Sequence, residues 1–219
     1  MPPDLEGALK VFGLASEYVA RAGLLAEVDW QRRVKIDDFS ETDLLRESAW
    51  VILCSGFREQ IVRRVFDHIS LCFCDWESTS AILDSDPICR TAAMASFRNA
   101  TKLSAIVRVA LHIYVGGFTV FKQAVLADPI TELQRLPHIG PITARHLAKN
   151  LGLDVAKPDR HLARVSRFFE FEDTDHFCTE VARASGEQRK VVDLVVWRYM
   201  ADNPQIFSAN AADGGPFSR

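Results

Sequence analysis

Leu136-Pro137-His138-Ile139-Gly140-Pro141-Ile142-Thr143-Ala144 is the stretch on which the reading of this chain turns. It joins two short helices through a tight turn. Gly140 is expected to take the unusual backbone angles of that turn, and Pro141 presets the first turn of the helix that follows. A helix start of this kind presents unpaired N–H groups and the positive end of the helix dipole, a natural seat for phosphate. Because such a contact uses backbone, it can hold DNA without reading its sequence. The same residues also fit an ordinary helix–turn–helix corner packed by Leu136, Ile139 and Leu147. The turn by itself does not separate the two readings.

Charge gathers around it. Leu133 to Arg167 holds seven basic residues (Arg135, Arg145, Lys149, Lys157, Arg160, Arg164, Arg167) against Asp154 and Asp159, a surplus of five in a chain of net charge −3. The remainder therefore carries −8, an asymmetry hidden by the average. A basic stretch is often just a solvated face. Here it coincides with the turn, and three of the six histidines (His138, His146, His161) fall in it as well.

The rest of the chain reads as helix after helix. Leu9, Phe12, Leu14, Ala15, Tyr18, Val19 and Ala22 keep the helical period over Ala8 to Leu25. Ser40 with Asp43 three residues later predicts a helix start for Glu41 to about Cys54. A second helix is expected from about Arg58 to Cys74, with short ones near 80–83 and 88–97. Asn99 precedes a long one through Tyr114, which Gly116-Gly117 ends. Asp128-Pro129 is a cap and first turn for Ile130 to Leu136. Further helices are expected near 142–150, 158–168, 174–184 and 187–201. No stretch alternates long enough to make a strand, so the class is all-α.

Composition sets the outer bounds. With 48% hydrophobic and 25% charged residues among 219, most of the chain is globular rather than disordered. No apolar run approaches the roughly 18 residues of a membrane helix, and the first residues lack the order of a secretory signal. Five cysteines, with no C-x-x-C pair and no histidine at finger-like spacing, read as reduced thiols and not as a metal site. The expectation is a cytoplasmic protein, nucleoid-associated if bacterial, that acts as a monomer away from membranes. Residues 211–219, with Gly214-Gly215-Pro216, read as a flexible tail.

Seventeen residues after Gly140 begins a second motif, Lys157-Pro158-Asp159-Arg160-His161-Leu162-Ala163-Arg164-Val165. The pair, L-P-x-I-G-x-x-T-A followed by x-D-x-H-L-x-R-V, resembles the helix-hairpin-helix DNA glycosylase superfamily, the endonuclease III-like base-excision proteins. Phe97-Arg98-Asn99-Ala100-Thr101-Lys102 is similar to the family segment where a helix begins ahead of the hairpin. Trp50 to Gly56 looks like its early buried helix ending at a DNA-facing loop. The resemblance covers about residues 41 to 167.

That resemblance implies an all-α, two-lobed fold with the active site in the cleft between lobes. Residues 41–156 would form a central lobe ending in the hairpin (about 133–150), and 1–40 with 157–210 the second lobe. It implies a DNA N-glycosylase whose partner is double-stranded DNA containing a modified base. Asp159 takes the place of the family's catalytic aspartate. His138, Gly140, Ile142, Thr143, Lys157 and Arg160 are the expected DNA contacts. Phe57 or Arg58 falls where the family plugs the gap left by a flipped base.

Three departures matter. The family's first hairpin glycine is His138 here, which is expected to alter the turn. Lyase-competent members carry a catalytic lysine where this chain has Ile142. The C-terminal four-cysteine iron–sulfur motif is absent, since only Cys178 lies beyond the hairpin. The resemblance thus implies no iron–sulfur cluster and no catalytic metal, although carbonyls of such a hairpin can ligate an ion.

Cleaving an N-glycosidic bond builds positive charge on the sugar, which a nearby carboxylate stabilises while orienting or deprotonating water. The base must first leave the stack. Asp159 suits that role, and it equally suits a plain helix N-cap worth roughly 1 kcal/mol. Lys157 reads as a phosphate contact, a lyase amine or a solvated side chain. The leading expectation is a monofunctional glycosylase that leaves an abasic site. One alternative is a bifunctional glycosylase/lyase using Lys157 or Lys149. A non-catalytic helix-hairpin-helix DNA-binding protein is the alternative of another class. Alkylated, oxidised, deaminated and hypermodified bases all remain open as targets.

Overall fold

A computed structural model describes residues 2–206. They form α1 (Leu5–Arg21), α2 (Leu25–Arg33), α3 (Glu41–Cys54), α4 (Glu59–Cys72), α5 (Thr79–Ser85), α6 (Ile88–Ala93) and α7 (Ala100–Gly116). There follow α8 (Phe118–Ala127), α9 (Pro129–Gln134), α10 (Pro141–Asn150), α11 (Arg160–Phe168), α12 (Thr174–Ser185) and α13 (Arg189–Asp202). No strand occurs among the described residues, so the class is all-α. The tail expected at 211–219 lies outside the described residues.

The chain divides into two compact units. A central unit runs from Lys35 to Leu151, and a terminal unit joins the chain up to Val34 with the chain from Gly152 onward. The sequence reading set these divisions at 41 and 157 instead.

Local chemistry starts the helices of the central unit where expected. Ser40 and Asp43 exchange hydrogen bonds as a reciprocal cap on α3, which satisfies two of its orphan amides. Asn99 caps α7 through Lys102 N at 3.1 Å, and Asp128 caps α9 ahead of Pro129. The core is Leu44, Ile52, Leu53, Ile69, Leu103, Ile113 and Leu133, all fully buried. Each such side chain contributes about 1.5–3 kcal/mol through lost apolar exposure.

Three elements depart from the sequence reading. The long N-terminal helix stops at Arg21, and a separate helix, α2, occupies Leu25–Arg33. Gly117 (φ +78) does break the helix after Gly116, but the chain resumes at once as α8, bent 96° from α7. The helix expected to reach Cys74 ends at Cys72. Cys74, Asp75 and Trp76 then take φ of +56, +48 and +62, a left-handed turn without glycine. Such angles cost about 1–2 kcal/mol per residue. They are offset by Trp76, 2% exposed, which stacks on Phe73 (5.6 Å) and Phe66 (5.9 Å) and donates Nε1–H to Ser70 Oγ.

The terminal unit is built from both ends of its chain. Ala8, Val11, Ala15 and Val19 line one face of α1 and pack with Val181, Val192 and Val196 of α12 and α13. Leu162 and Val165 bring α11 into the same core. Arg198 pairs with Glu27 through two hydrogen bonds of 2.8 and 2.5 Å and fastens α2 to α13.

Candidate nucleic-acid interface and active-site carboxylate

The hairpin belongs to the central unit. Arg135 to Gly140 link α9 to α10, closed by Ile139 N donating to Leu136 O at 3.1 Å. Leu136 and Ile139 are buried, whereas His138, Pro141 and Ile142 face out. The backbone angles reverse the expectation for this turn. Gly140 has φ −91 and ψ −179, ordinary extended backbone, and a Cβ built on it meets nothing within 4 Å. His138 takes the left-handed φ of +68 instead. Histidine thus holds a backbone conformation that glycine favours, between the buried side chains of Leu136 and Ile139.

α10 starts without a side-chain cap. Its first intrahelical bond is Ala144 N to Gly140 O (2.8 Å), so the amides of Ile142 and Thr143 lie ahead of the ladder. Ile142 is 51% exposed and Thr143 half-buried. The far end of α10 is anchored: Asn150 Nδ2 donates to Glu47 Oε2 of α3 at 2.8 Å. Burial pushes the Glu47 carboxyl upward in pKa, and that hydrogen bond opposes the shift. Lys149, one residue earlier, is buried, with 5% of its surface exposed.

The loop from α3 to α4 carries Phe57 and Arg58, both exposed. Phe57 stands on the ring of Phe97 (5.1 Å) and over the Lys102 ammonium (5.4 Å). Lys102 is itself 7% exposed, and its Nζ donates to the carbonyls of Ile52, Leu53 and Ser55, the orphan acceptors at the end of α3. Burial lowers its pKa. The segment around Asn99 thus does two jobs: Asn99 starts α7, and Lys102 closes α3 beneath the exposed aromatic. Arg58 is the N-terminal boundary residue of α4 and caps nothing with its side chain.

Asp159 belongs to the terminal unit. Asp159 N donates to Lys157 O at 2.8 Å, a one-residue turn around Pro158, and α11 begins with Arg160. Asp159 Oδ1 accepts from His161 N (2.8 Å) and Leu162 N (3.1 Å), so the side chain is an N-cap. Oδ2 has no partner among the described residues. The carboxylate is fixed by one oxygen and open at the other. Leu162, fully buried, pins this end of the helix to the core.

Around it, Arg160 is exposed and its Nε lies 3.4 Å from His161 Nε2. Arg164 donates to Pro204 O at 2.8 Å. His161 is half-buried, and its Nδ1 has no partner among the described residues. Burial lowers its pKa, the Asp159 charge opposes this, and Arg160, Arg164 and Lys157 add to it. Lys157 is half-buried, and its backbone N–H is held by Asp193 Oδ2 at 2.6 Å.

The Thermotoga maritima 8-oxoguanine DNA glycosylase has a crystal structure to which this chain is similar, with a TM-score of 0.62 over 89% of this chain and 96% of that one. The two chains share an all-helical fold. Sequence identity is 19%, so the likeness is one of fold. No protein-family model and no curated protein matches the sequence.

Within that glycosylase fold, the sequence reading divides cleanly by unit. His138, Gly140, Ile142 and Thr143 come together in the hairpin, and Phe57 with Arg58 in the α3–α4 loop, all in the central unit. Asp159, Lys157 and Arg160 form one turn of the terminal unit. Two small cavities are lined by residues of neither group. One, of about 110 Å³, is lined by Phe12, Val28 and Val195, and the other, of about 210 Å³, by Pro87, Met94 and Leu103. The sequence reading missed Asp193. Its only local signal was an acid inside the apolar run Val191-Val192-Asp193-Leu194-Val195-Val196.

Proposed function

We propose that the chain is a monofunctional DNA N-glycosylase that excises a modified base from duplex DNA and leaves an abasic site. The observation that carries this reading is Asp159: in a chain with the glycosylase fold, its carboxylate is locked through Oδ1 and open at Oδ2. An N-cap needs only one oxygen, so capping and chemistry are served by the same group. As the bond between the sugar C1′ and the base nitrogen breaks, the base leaves with the electron pair and takes up a proton. The ionised carboxylate stabilises the positive sugar, and water adds to C1′ as its proton passes to the carboxylate or to solvent.

DNA is held by backbone and charge. The uncapped amides of Ile142 and Thr143 receive a phosphate, with His138, Gly140, Lys157 and Arg160 beside the strand. Phe57, seated on Phe97 and Lys102, fills the gap of the flipped base, which is costly to leave unstacked. Scission of the strand is not intrinsic. An amine nucleophile must be unprotonated and reach C1′, and Ile142 has no nitrogen. No cluster or metal takes part, as the cysteine spacing argues.

Four duplexes test this, each with one modified base: 8-oxoguanine, ethenoadenine, uracil or glucosylated hydroxymethylcytosine. At least one is expected to lose its base, its strand staying intact until alkali is added. A covalent protein–DNA band under borohydride would replace this reading with the glycosylase/lyase one. Salt-sensitive binding with no excision of any base would favour the non-catalytic reading. Binding itself should weaken with salt at a log–log slope of about −0.9 per phosphate contact.

A further inference from the structure

α13 runs through the core of the terminal unit and is apolar at nearly every turn: Val191, Val192, Leu194, Val195, Val196 and Met200 are all buried. Two charged residues are buried with them, Lys190 at 3% and Asp193 at 1% exposure. Removing a carboxylate from water costs several kcal/mol unless the geometry of its partners repays it. Helix packing alone would be served better by leucine.

Both residues reach one stretch of chain, Gly152 to Lys157, which leads to Asp159. Lys190 Nζ donates to Gly152 O at 3.1 Å and to Val34 O. Lys190 N donates to Asp154 Oδ1 at 2.9 Å, and Arg189 pairs with the other Asp154 oxygen at 3.5 Å. Asp193 Oδ2 accepts from Lys157 N at 2.6 Å. The next hydrogen bond along the chain is Asp159 N to Lys157 O at 2.8 Å. Pro158, between them, has a fixed φ and no N–H to offer elsewhere. Asp193 is thus two hydrogen bonds from the main chain of Asp159.

We infer that Asp193 is a positioning residue for the excising carboxylate: by fixing Lys157, it sets where the Lys157–Asp159 turn stands and so where the open oxygen of Asp159 points. This rests on the reading of Asp159 under the proposed function. The cap that Asp159 places on α11 does not pass through Asp193. Losing Asp193 therefore leaves the cap in place and frees the turn that aims it. Misplacement of a reacting group by about 1 Å costs on the order of 10²-fold in rate.

The test uses the full chain and whichever of the four duplexes the wild type excises fastest. Asp193→Leu keeps the branched heavy-atom skeleton and removes the acceptor, whereas Asp193→Asn keeps an acceptor oxygen. Single-turnover excision should fall about 10²-fold in Asp193→Leu, with duplex affinity unchanged, and return in large part in Asp193→Asn. Hydrogen exchange at the Lys157 amide should be fast in the first variant and slow in the second. In an Asp159→Asn background, Asp193→Leu should cost nothing further, because it acts through the group already removed. Should Asp193→Leu not fold, Asp193→Ser gives the same comparison, its hydroxyl being too short to reach Lys157.

A folded Asp193→Leu or Asp193→Ser with wild-type rate overturns the positioning role and leaves the glycosylase reading standing. A loss that adds fully to that of Asp159→Asn also overturns it. If Asp159→Asn excises like the wild type, the functional reading has failed, and this inference falls with it.

Discussion

The helix that begins at Pro141, α10, and the one that begins just past Pro158, α11, treat their free amides in opposite ways. α10, after the hairpin, has Gly140 at its cap position and no side chain on its amides. α11, after Lys157-Pro158, has Asp159 there, whose Oδ1 takes the amides of His161 and Leu162. One helix start is left empty and faces out, which suits an anion supplied from outside. The other is filled from within by a carboxylate that keeps one oxygen unused. The lesson is that the same backbone feature, four orphan donors at a helix start, makes either an anion seat or a rigid mount for an anionic side chain. Which one results depends on a single residue.

The sharpest way to break this comparison is at the filled start. Asp159→Asn keeps an N-cap of equal quality and removes only the charge, so thermal stability should hold while excision falls about 10³-fold. A variant that loses stability instead would make Asp159 a cap and nothing more. The empty start is probed by Gly140→Ala. Its φ of −91 and the open space around a built Cβ predict normal folding, so a loss of duplex affinity, roughly tenfold for one phosphate contact, would report a contact from outside. Unchanged affinity across all four duplexes would place the DNA elsewhere.

Smaller effects sharpen the picture. His138→Gly relieves a left-handed residue, and after the entropic cost of glycine it should gain about 0.5–1 kcal/mol in denaturant unfolding. No gain would mean that the imidazole makes a compensating contact. The smallest effect concerns His161. Burial lowers its folded-state pKa below the 6.5 of the unfolded chain, so the unfolded state takes up the proton first. Stability is complete above pH 6.5 and is lost as the pH falls through the lower folded value. His161→Gln should flatten the decline of melting temperature over that window, and an identical pH profile would refute the assignment.

Much of this was legible from residues alone because it is local. The reciprocal cap of Ser40 and Asp43, the Asn99 cap on α7 and the Asp128-Pro129 start of α9 each need only neighbours in sequence, and each sits where its pattern predicts. The motif at 157–165 likewise announced the turn of Asp159. What stayed hidden depends on distant chain. The left-handed run at Cys74–Trp76 carries no glycine to mark it, since its cost is met by aromatic packing with Phe66 and Phe73. The left-handed backbone of His138, between buried Leu136 and Ile139, likewise has no glycine to announce it. Asp193 and Lys190 drew no notice in the sequence, because their partners at 152–157 lie more than thirty residues away. Tertiary bonds of that span leave no period in the sequence.

The packing of α1 on α12 and α13 has a consequence for how this chain comes into being. α1 is synthesised before α12 and α13, the helices that cover its apolar face of Ala8, Val11, Ala15 and Val19. At a synthesis rate of roughly 5–20 residues per second, α1 waits on the order of ten seconds for its partners. In that interval the whole central unit has emerged and can close upon itself. The nascent protein is thus one finished unit trailing a naked amphipathic helix, which is the form in which a chaperone would meet it.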